Sequence, residues 1–199
     1  WGEGFEQRPI EVDGGELYVE VTKQRGLVLE AISSRSAGAA TLSQEEAAAL
    51  ARDFLASRGY PSMRESYFID QGGVVTINFA SAQGDVLCYP DLVKVSVALD
   101  TGRVVGFESE GYLMNHMIRD LPTPAVTEAE AQAVVSPALT VLSHQLTVIP
   151  TGGEYEVLCH EFKCQDEDGR HVIVYVNAQN GQEEKILLLL EDENGTLVL

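Results

Sequence analysis

Val93–His116 reads VKVSVALDTGRVVGFESEGYLMNH. Val93–Leu99 and Val104–Glu108 alternate apolar and polar residues, and Asp100-Thr101-Gly102 lies between them. Period-two alternation on both sides of an Asp/Gly turn predicts an antiparallel hairpin. The pattern stands twice more in the chain. Tyr18–Thr22 and Leu27–Ile32 flank a turn ending at Gly26, and Val172–Val176 and Glu184–Leu190 flank Gln179-Asn180-Gly181. A hairpin recurring at a spacing of roughly 75–80 residues marks a chain built from repeats.

Outward from the central hairpin, the repeats gain a helix. Ser43 and Glu46 form S-x-x-E, a capping box in which each side chain satisfies the other's free backbone N–H. Apolar residues then fall at Ala47, Leu50, Ala51, Phe54 and Leu55, the stripe of a core-facing helix that Gly59 and Pro61 end. Strands are predicted at Glu65–Ile69 and Val74–Ala80. Ser81–Leu92 reads as the connection into the hairpin. Thr127 and Glu130 form a second capping box, with Ala131, Val134 and Val135 on one face and Pro137 cutting the helix short. Strands at Val141–Ile149, Tyr155–Cys164, His171–Val176 and Glu184–Leu190 follow, and Asn194-Gly195 offers a last turn into Thr196–Leu199.

At the start, Trp1–Arg8 reads as irregular. Ile10–Val12 and Glu16–Thr22 are strands around Asp13-Gly14-Gly15, Leu27–Ile32 is another, and Ser33–Thr41 is a small polar linker. The expected class is therefore α+β, in tandem units of one helix on an antiparallel sheet of about four strands. Residues 1–40 form a partial unit with strands only, and 41–121 and 122–199 form two full ones. A unit of about 70 residues buries only about 60% of its unfolded surface, so such units should lean on one another or on a partner. The missing first helix and the start at Trp1 lead to the expectation of a longer parent protein.

The net charge is −18, from 31 acidic and 13 basic residues. Phosphate backbones and anionic headgroups repel such a chain, so nucleic acid is not an expected partner. No run of about 18 apolar residues exists, so any membrane attachment would come through a segment outside these residues. Cys88, Cys159 and Cys164 form no disulfide framework, and Cys159 and Cys164, five apart on one strand, face opposite sides.

Catalytic and metal constellations do not emerge. His116, His144, His160 and His171 share no ligand spacing, although the last three lie on strands of one unit and a convergence there is open. Neighbours Cys159 and His160 face opposite sides of a strand, which separates a thiol from its base. The Glu45/Glu46 and Glu128/Glu130 pairs are explained by capping, and Glu183/Glu184 and Glu191–Glu193 read as solvated turns. No catalytic residue, metal ligand or cofactor is expected. Two apolar stretches have no counterpart in the other units. Cys88, Tyr89, Pro90 and Asp91 lie in a connection where polarity is expected, and Tyr112, Leu113, Met114, Asn115 and His116 follow the central hairpin. Each stretch is either internal packing or a partner-binding patch, since Tyr and Met are enriched at interfaces.

The unit of capping box, helix, strands and D-x-G turn resembles the PepSY domain, a small α+β module of protease propeptides and extracytoplasmic proteins. More narrowly, Gly59–Met63, Cys88–Val95, Val97–Asp100 with Gly102, Val105–Glu108 and Gly111–His116 followed by Arg119-Asp120 and Pro122 look like the YpeB family of spore germination proteins. The likeness covers nearly the whole chain, as the family's C-terminal repeat region. It implies a non-catalytic protein of endospore formers, held outside the cytoplasm in the inner membrane and cortex region of the spore by an N-terminal anchor. It further implies a partner, a cortex-lytic peptidoglycan hydrolase of the SleB type, that the module stabilises and restrains. The alternatives are a glycan-processing enzyme using a Glu pair, or an architectural module that self-associates.

Overall fold

Two hairpin turns in this chain, Asp100–Gly102 and Gln179–Gly181, do two jobs: each joins two strands and anchors the entry to a helix. In a computed structural model, residues 5–12, 14–152, 155–192 and 195–198 are described, with side chains for 14–152 and 155–187. The chain divides into two compact units. One comprises the residues up to Ser81 with Asp91–His116, and the other Ala82–Pro90 with the residues from Met117 onward.

The first unit contains β1 (Phe5–Val12), β2 (Gly15–Thr22), β3 (Val28–Ser33), α1 (Gln44–Ser57), β4 (Met63–Gln71), most of β5 (Val74–Gln83) and of β6 (Val86–Ala98), β7 (Val104–Glu108) and α2 (Glu110–Asn115). Its strands lie in the order β1-β2-β3-β7-β6-β5-β4. The central hairpin is present as expected, with Lys94 opposite Glu108 and Val95 opposite Phe107. β1 is longer than the sequence suggests. Phe5–Arg8, expected to be irregular, pairs with Val19–Thr22 along its length, because strand pairing supplies the hydrogen bonds that local sequence does not advertise. Trp1–Gly4 and Asp13 lie outside the described residues.

Ser43 caps α1 as expected: its hydroxyl accepts from Glu46 N–H, and Glu46 Oε2 accepts from Ser43 N–H at 2.8 Å. The Ser43 amide, and then the Ser43 hydroxyl, which also donates to Oε2, hold the Glu46 carboxyl below its ordinary range. At the other end Gly59 takes φ +83, Tyr60 N–H reaches back to Leu55 C=O at 3.1 Å, and Gly59 N–H meets Ala56 C=O at 3.4 Å. This is a Schellman ending, and it needs a left-handed residue that glycine supplies without strain. Ala47, Ala51 and Leu55 bury against Val75, Ile77, Phe79, Val93, Val95 and Val97. Leu50 stays at the rim, over the Asp100–Gly102 turn. A Cβ at Gly102 would come within 2.9 Å of it, so both the φ of +69 and this contact require glycine.

Ser34–Thr41 is not a free linker. Arg35 donates to both Asp100 oxygens (3.1 and 2.5 Å), Gly38 N–H donates to Asp100 Oδ2 (2.7 Å), and Thr41 and Leu42 N–H share Leu99 C=O. The Arg35 guanidinium and then the Gly38 amide hold the Asp100 carboxyl far below the usual carboxylate range.

The second unit contains the start of β6, α3 (Glu128–Gln132), β8 (Thr140–Pro150), β9 (Glu156–Gln165), β10 (His171–Asn177), β11 (Glu183–Asp192) and β12 (Gly195–Val198). Its sheet runs β12-β11-β10-β9-β8, all antiparallel, and β6 joins β8 in parallel through Leu87 and Cys88. Residues 193, 194 and 199, part of the last expected turn and strand, lie outside the described residues. The helix entry repeats the first unit's device. Thr127 and Glu130 form the capping box, and Ala125 and Val126 N–H share Ala178 C=O, just before the Gln179–Gly181 turn. Ala131 and Val135 bury against Phe162, Cys164, Val174 and Val176, whereas Val134 stays 42% exposed.

The expected connection Ser81–Leu92 is corrected. β5 continues to Gln83, the turn is Gly84-Asp85 with Gly84 at φ +62, and Val86 onward is strand. The apolar residues there are strand residues with a buried face, not an apolar loop.

All three cysteines are free and buried. Cys159 packs with Ile149 and Tyr175 and Cys164 with Phe162 and Val174, on opposite faces as the five-residue spacing requires. Burial pushes the Cys159 thiol up to about 12, with Glu184 and Glu161 adding to it, and burial raises Cys164 as well. A neutral, enclosed thiol is a poor nucleophile. Native protein at pH 7.5 is therefore expected to leave a maleimide reagent unconsumed over an hour and to take up three equivalents in urea. Mass spectrometry of the intact chain reads both states.

Candidate functional site

The stretches singled out by sequence part company in the structure. Cys88, Tyr89 and Pro90 belong to the second unit, whereas Asp91 and Tyr112–His116 belong to the first.

In the first unit, α2 follows the central hairpin directly and has no side-chain cap. Its aromatic residue faces inward. Tyr112 packs edge-on against Tyr60 (4.9 Å between centroids), and Tyr60 packs edge-on against Phe107 (5.6 Å). On its other side Tyr112 stacks flat on His116, at 4.1 Å and 12°. His116 Nδ1 lies 2.8 Å from Asp91 Oδ2, and the Asp91 side chain is 1% exposed. The buried carboxylate thus fixes the ring, and the ring fixes the tyrosine. Burial, then the Asp91 charge, raises the Tyr112 hydroxyl above its ordinary pKa. An Asp–His pair is the orienting half of a nucleophilic site. Here the imidazole lies face to face with a phenol ring, which uses the pair as a brace. On the exposed side of the segment Met114 stands beside Asn115 and His116 and is 60% exposed. Met117-Ile118, just beyond this stretch, carries the same sequence signal of large apolar side chains beside a Pro-containing linker.

In the second unit, Tyr89 is half-buried and packs with Ile149, Val157, Cys159 and Tyr175. Its ring meets Tyr175 edge-on at 6.5 Å. Cys88 is interior, against Val148 and Leu158. Beside Tyr89 lies a carboxyl that the sequence did not mark. Glu161 sits in register between Gln145 and Tyr175 and is 8% exposed. Its Oε1 accepts from Gln145 Nε2 at 2.9 Å, while Oε2 is buried without a hydrogen-bond partner. Burial raises its pKa, and the nearby Tyr89 and Tyr175 hydroxyls and the Gln145 amide work the other way without cancelling it. Tyr175 is raised in turn, first by burial and then by the Glu161 charge. A strand residue shows its face only once the sheet is known, which is why the alternation around Glu161 carried no warning.

The sign of the resulting pH dependence is definite. A carboxyl whose pKa is raised on folding favours the native state below its unfolded pKa, and that advantage is lost as pH rises through the folded value. Glu161→Gln is expected to remove this slope. Its urea midpoint relative to the wild type should rise between pH 4.5 and pH 8, and a constant difference across that range would show that Glu161 does not titrate abnormally.

Two of the second unit's histidines, His144 and His160, converge, though not as ligands, whereas His171 lies at the other end of the strand pair, opposite Gln165. His160 Nε2 lies 2.9 Å from Val126 C=O, so it carries the hydrogen. His160 Nδ1 and His144 Nε2 share a hydrogen bond, also at 2.9 Å. His144 Nδ1 faces Glu128 at 3.3 Å. Burial lowers the His144 pKa against the opposing pull of Glu128. Both nitrogens of His160 are engaged, and among the described residues no group of three His, Cys, Asp or Glu side chains is placed to hold a metal. Of the acidic pairs, Glu46 and Glu130 cap helices and Glu184 accepts from Asn177.

The comparisons with known proteins agree with this architecture. Residues 5–122 match the family model described as YpeB sporulation, PepSY1 and PepSY2 domains. The chain is 34% identical over 200 residues to the sporulation protein YpeB of Halalkalibacterium halodurans, covering 96% of this chain and 44% of that protein. It is 32% identical over 174 residues to the same protein of Bacillus subtilis, covering 85% and 38%. It therefore spans less than half the length of these curated relatives. The Bacillus megaterium YpeB C-terminal domain superimposes with a TM-score of 0.81 at 22% identity, covering 96% of this chain and 92% of that one, and so shares the fold. The family match over residues 5–122 and the α+β repeats with two capping boxes lead to one assignment: this chain belongs to the YpeB family of sporulation proteins.

Proposed function

We propose that the chain is a non-catalytic module that binds a cortex-lytic peptidoglycan hydrolase of the SleB type, stabilising it and restraining it in the spore. The reading places the module outside the cytoplasm, in the inner membrane and cortex region, held by a segment outside these residues. Among the described residues no helix is long and apolar enough to cross a membrane. The observation that carries the proposal is the Tyr112–His116 segment. Its base is braced by the buried Asp91 carboxylate, and it presents Met114 to solvent at 60% exposure. Rigidly held large side chains lose little freedom on docking, and a few such residues carry most of an interface's energy.

Biolayer interferometry with the purified hydrolase tests it. Met114→Ala with Tyr112→Ala is expected to weaken binding at least about 10-fold, the loss of one good contact. Tyr89→Ala, in the other unit, tests the second stretch separately. Unchanged binding in all of these, with circular dichroism showing native fold, removes the site assignment. Release of muropeptides from cortex by the chain alone would replace the module with an enzyme.

A further inference from the structure

The α1 side of the first unit's sheet is wider than the helix that covers it. An apolar row runs across four strands in register, from Val95 on β6 through Phe107 on β7 and Ala31 on β3 to Val19 on β2. A helix about 10 Å across covers roughly two strands spaced about 4.8 Å apart. Accordingly Val95 is fully buried and Phe107 nearly so, whereas Ala31 and Val19 are only half-buried. The remainder is a groove of about 470 Å³, with Leu17, Val19 and Ala31 as floor and Phe54 and Tyr60 along one wall.

The groove reverses the charge of the chain around it. Among the described residues its lining contains one charged side chain, Arg58, whose guanidinium sits 5.0 Å above the Phe54 ring. Lys23 and Arg25 are exposed in the β2–β3 turn that leads into the groove residues Gly26 and Leu27. Glu20, Glu30 and Glu108 are neighbours in register to Val19, Ala31 and Phe107, so alternation sends them to the opposite face. On a chain with 31 acidic and 13 basic residues, an apolar groove with cations at its margins and, among the described residues, no carboxylate in its lining is a selective surface.

We propose that this groove docks an amphipathic helix of a partner protein, laid beside α1 with aliphatic residues at i, i+3, i+4 and i+7 on Leu17, Val19 and Ala31 and a carboxylate on Arg58. The width left beside α1 is that of one helix, and helix-on-sheet packing is how both units already cover their sheets. The proposal does not depend on the partner being a hydrolase, and it uses a surface other than Met114.

A labelled peptide of about 18 residues, leucine-striped with glutamates along its flanks, is the probe. Its charge-reversed counterpart, with lysine for each glutamate, is the control. Fluorescence anisotropy is expected to show the acidic peptide binding the chain at least about 10-fold more tightly than the basic one, and Arg58→Glu reversing that order. Arg58 is exposed, so the variant should fold as the wild type does, with a slightly lower melting temperature because the contact with Phe54 and the positive charge at the end of α1 are lost. Amide exchange should slow at residues 17–19 and 27–31 when the acidic peptide is bound. Equal binding of the two peptides, indifference to Arg58→Glu, or protection elsewhere overturns the proposal. So does self-association that Arg58→Glu abolishes, which gives the groove to a second copy. Failure of the peptide to bind the full-length protein gives it to the protein's own chain, and also overturns the proposal.

Discussion

Phe162→Ala is expected to destabilise the chain by about 4 kcal/mol, the middle of the range for emptying a buried aromatic site. Phe162 is fully buried and central to the second unit's main cluster, where α3 supplies only Ala131 and the turn after it Val135. Among the described residues the first unit's cluster has eleven buried members against six here, and α1 spans 14 residues against five in α3. Pro137 is one reason α3 is short, and a short helix held at its entry by Ala178 has little scope to shift into a void. Phe162 also lies 5.1 Å from the His144 ring and supports the hydrogen-bonded imidazole pair. Urea unfolding followed by circular dichroism measures the loss. A cost below about 1 kcal/mol would mean that the sheet closes over the gap, and that α3 is held by its capping and entry bonds alone.

What was legible in the sequence is what is local. Both capping boxes lie within four residues, and both helices start where Ser43 and Thr127 put them. The central hairpin was readable because its turn and its alternation are contiguous. The anchoring of Ser34–Thr41 was not, because Arg35 and Asp100 are 65 residues apart and nothing near either names the other. Ser81–Leu92 was misread for a different reason. Gly84-Asp85 is a two-residue turn, but Val86–Asp91 that follows does not alternate cleanly, since Cys88 and Leu87 are both interior. Pro90 adds to the confusion, as it donates no ladder bond and sits where β6 passes from one unit to the other.

The candidate site was half legible. Tyr112–His116 stood out because large side chains follow the last strand of a repeat, where the other repeats have none. That His116 rests on Asp91, 25 residues earlier, needed the fold. Glu161 stood out not at all. A glutamate in an alternating strand is read as solvent-facing, and only the arrival of Tyr89 from β6 makes that face interior.

Glu156→Ala is expected to cost about 2–3 kcal/mol, more than the double replacement Arg119→Met with Glu156→Leu. Arg119 is one of the few buried charges in the chain, its side chain 6% exposed. Its Nε and Nη2 donate to the two Glu156 oxygens at 2.6 and 2.7 Å. The backbone of Arg119 is fixed as well. Gln83 accepts from its N–H at 2.9 Å and donates to its C=O at 2.7 Å, so the side-chain amide stands in for a strand partner. The backbone that carries the guanidinium is therefore held in place, and only a change of side-chain rotamer could take the charge to water. Removing Glu156 leaves a positive charge enclosed without the carboxylate that neutralises it, and burying such a charge is the most expensive outcome available. The cost stays below that of a fully enclosed pair because the Glu156 side chain is 33% exposed and water can reach the vacated position. Apolar replacement of both groups removes the charge together with its need for a partner, so the double variant recovers part of the loss. Urea midpoints for the two variants decide between the accounts. If the double variant is the less stable, the pair acts through the volume it fills and not through its charge.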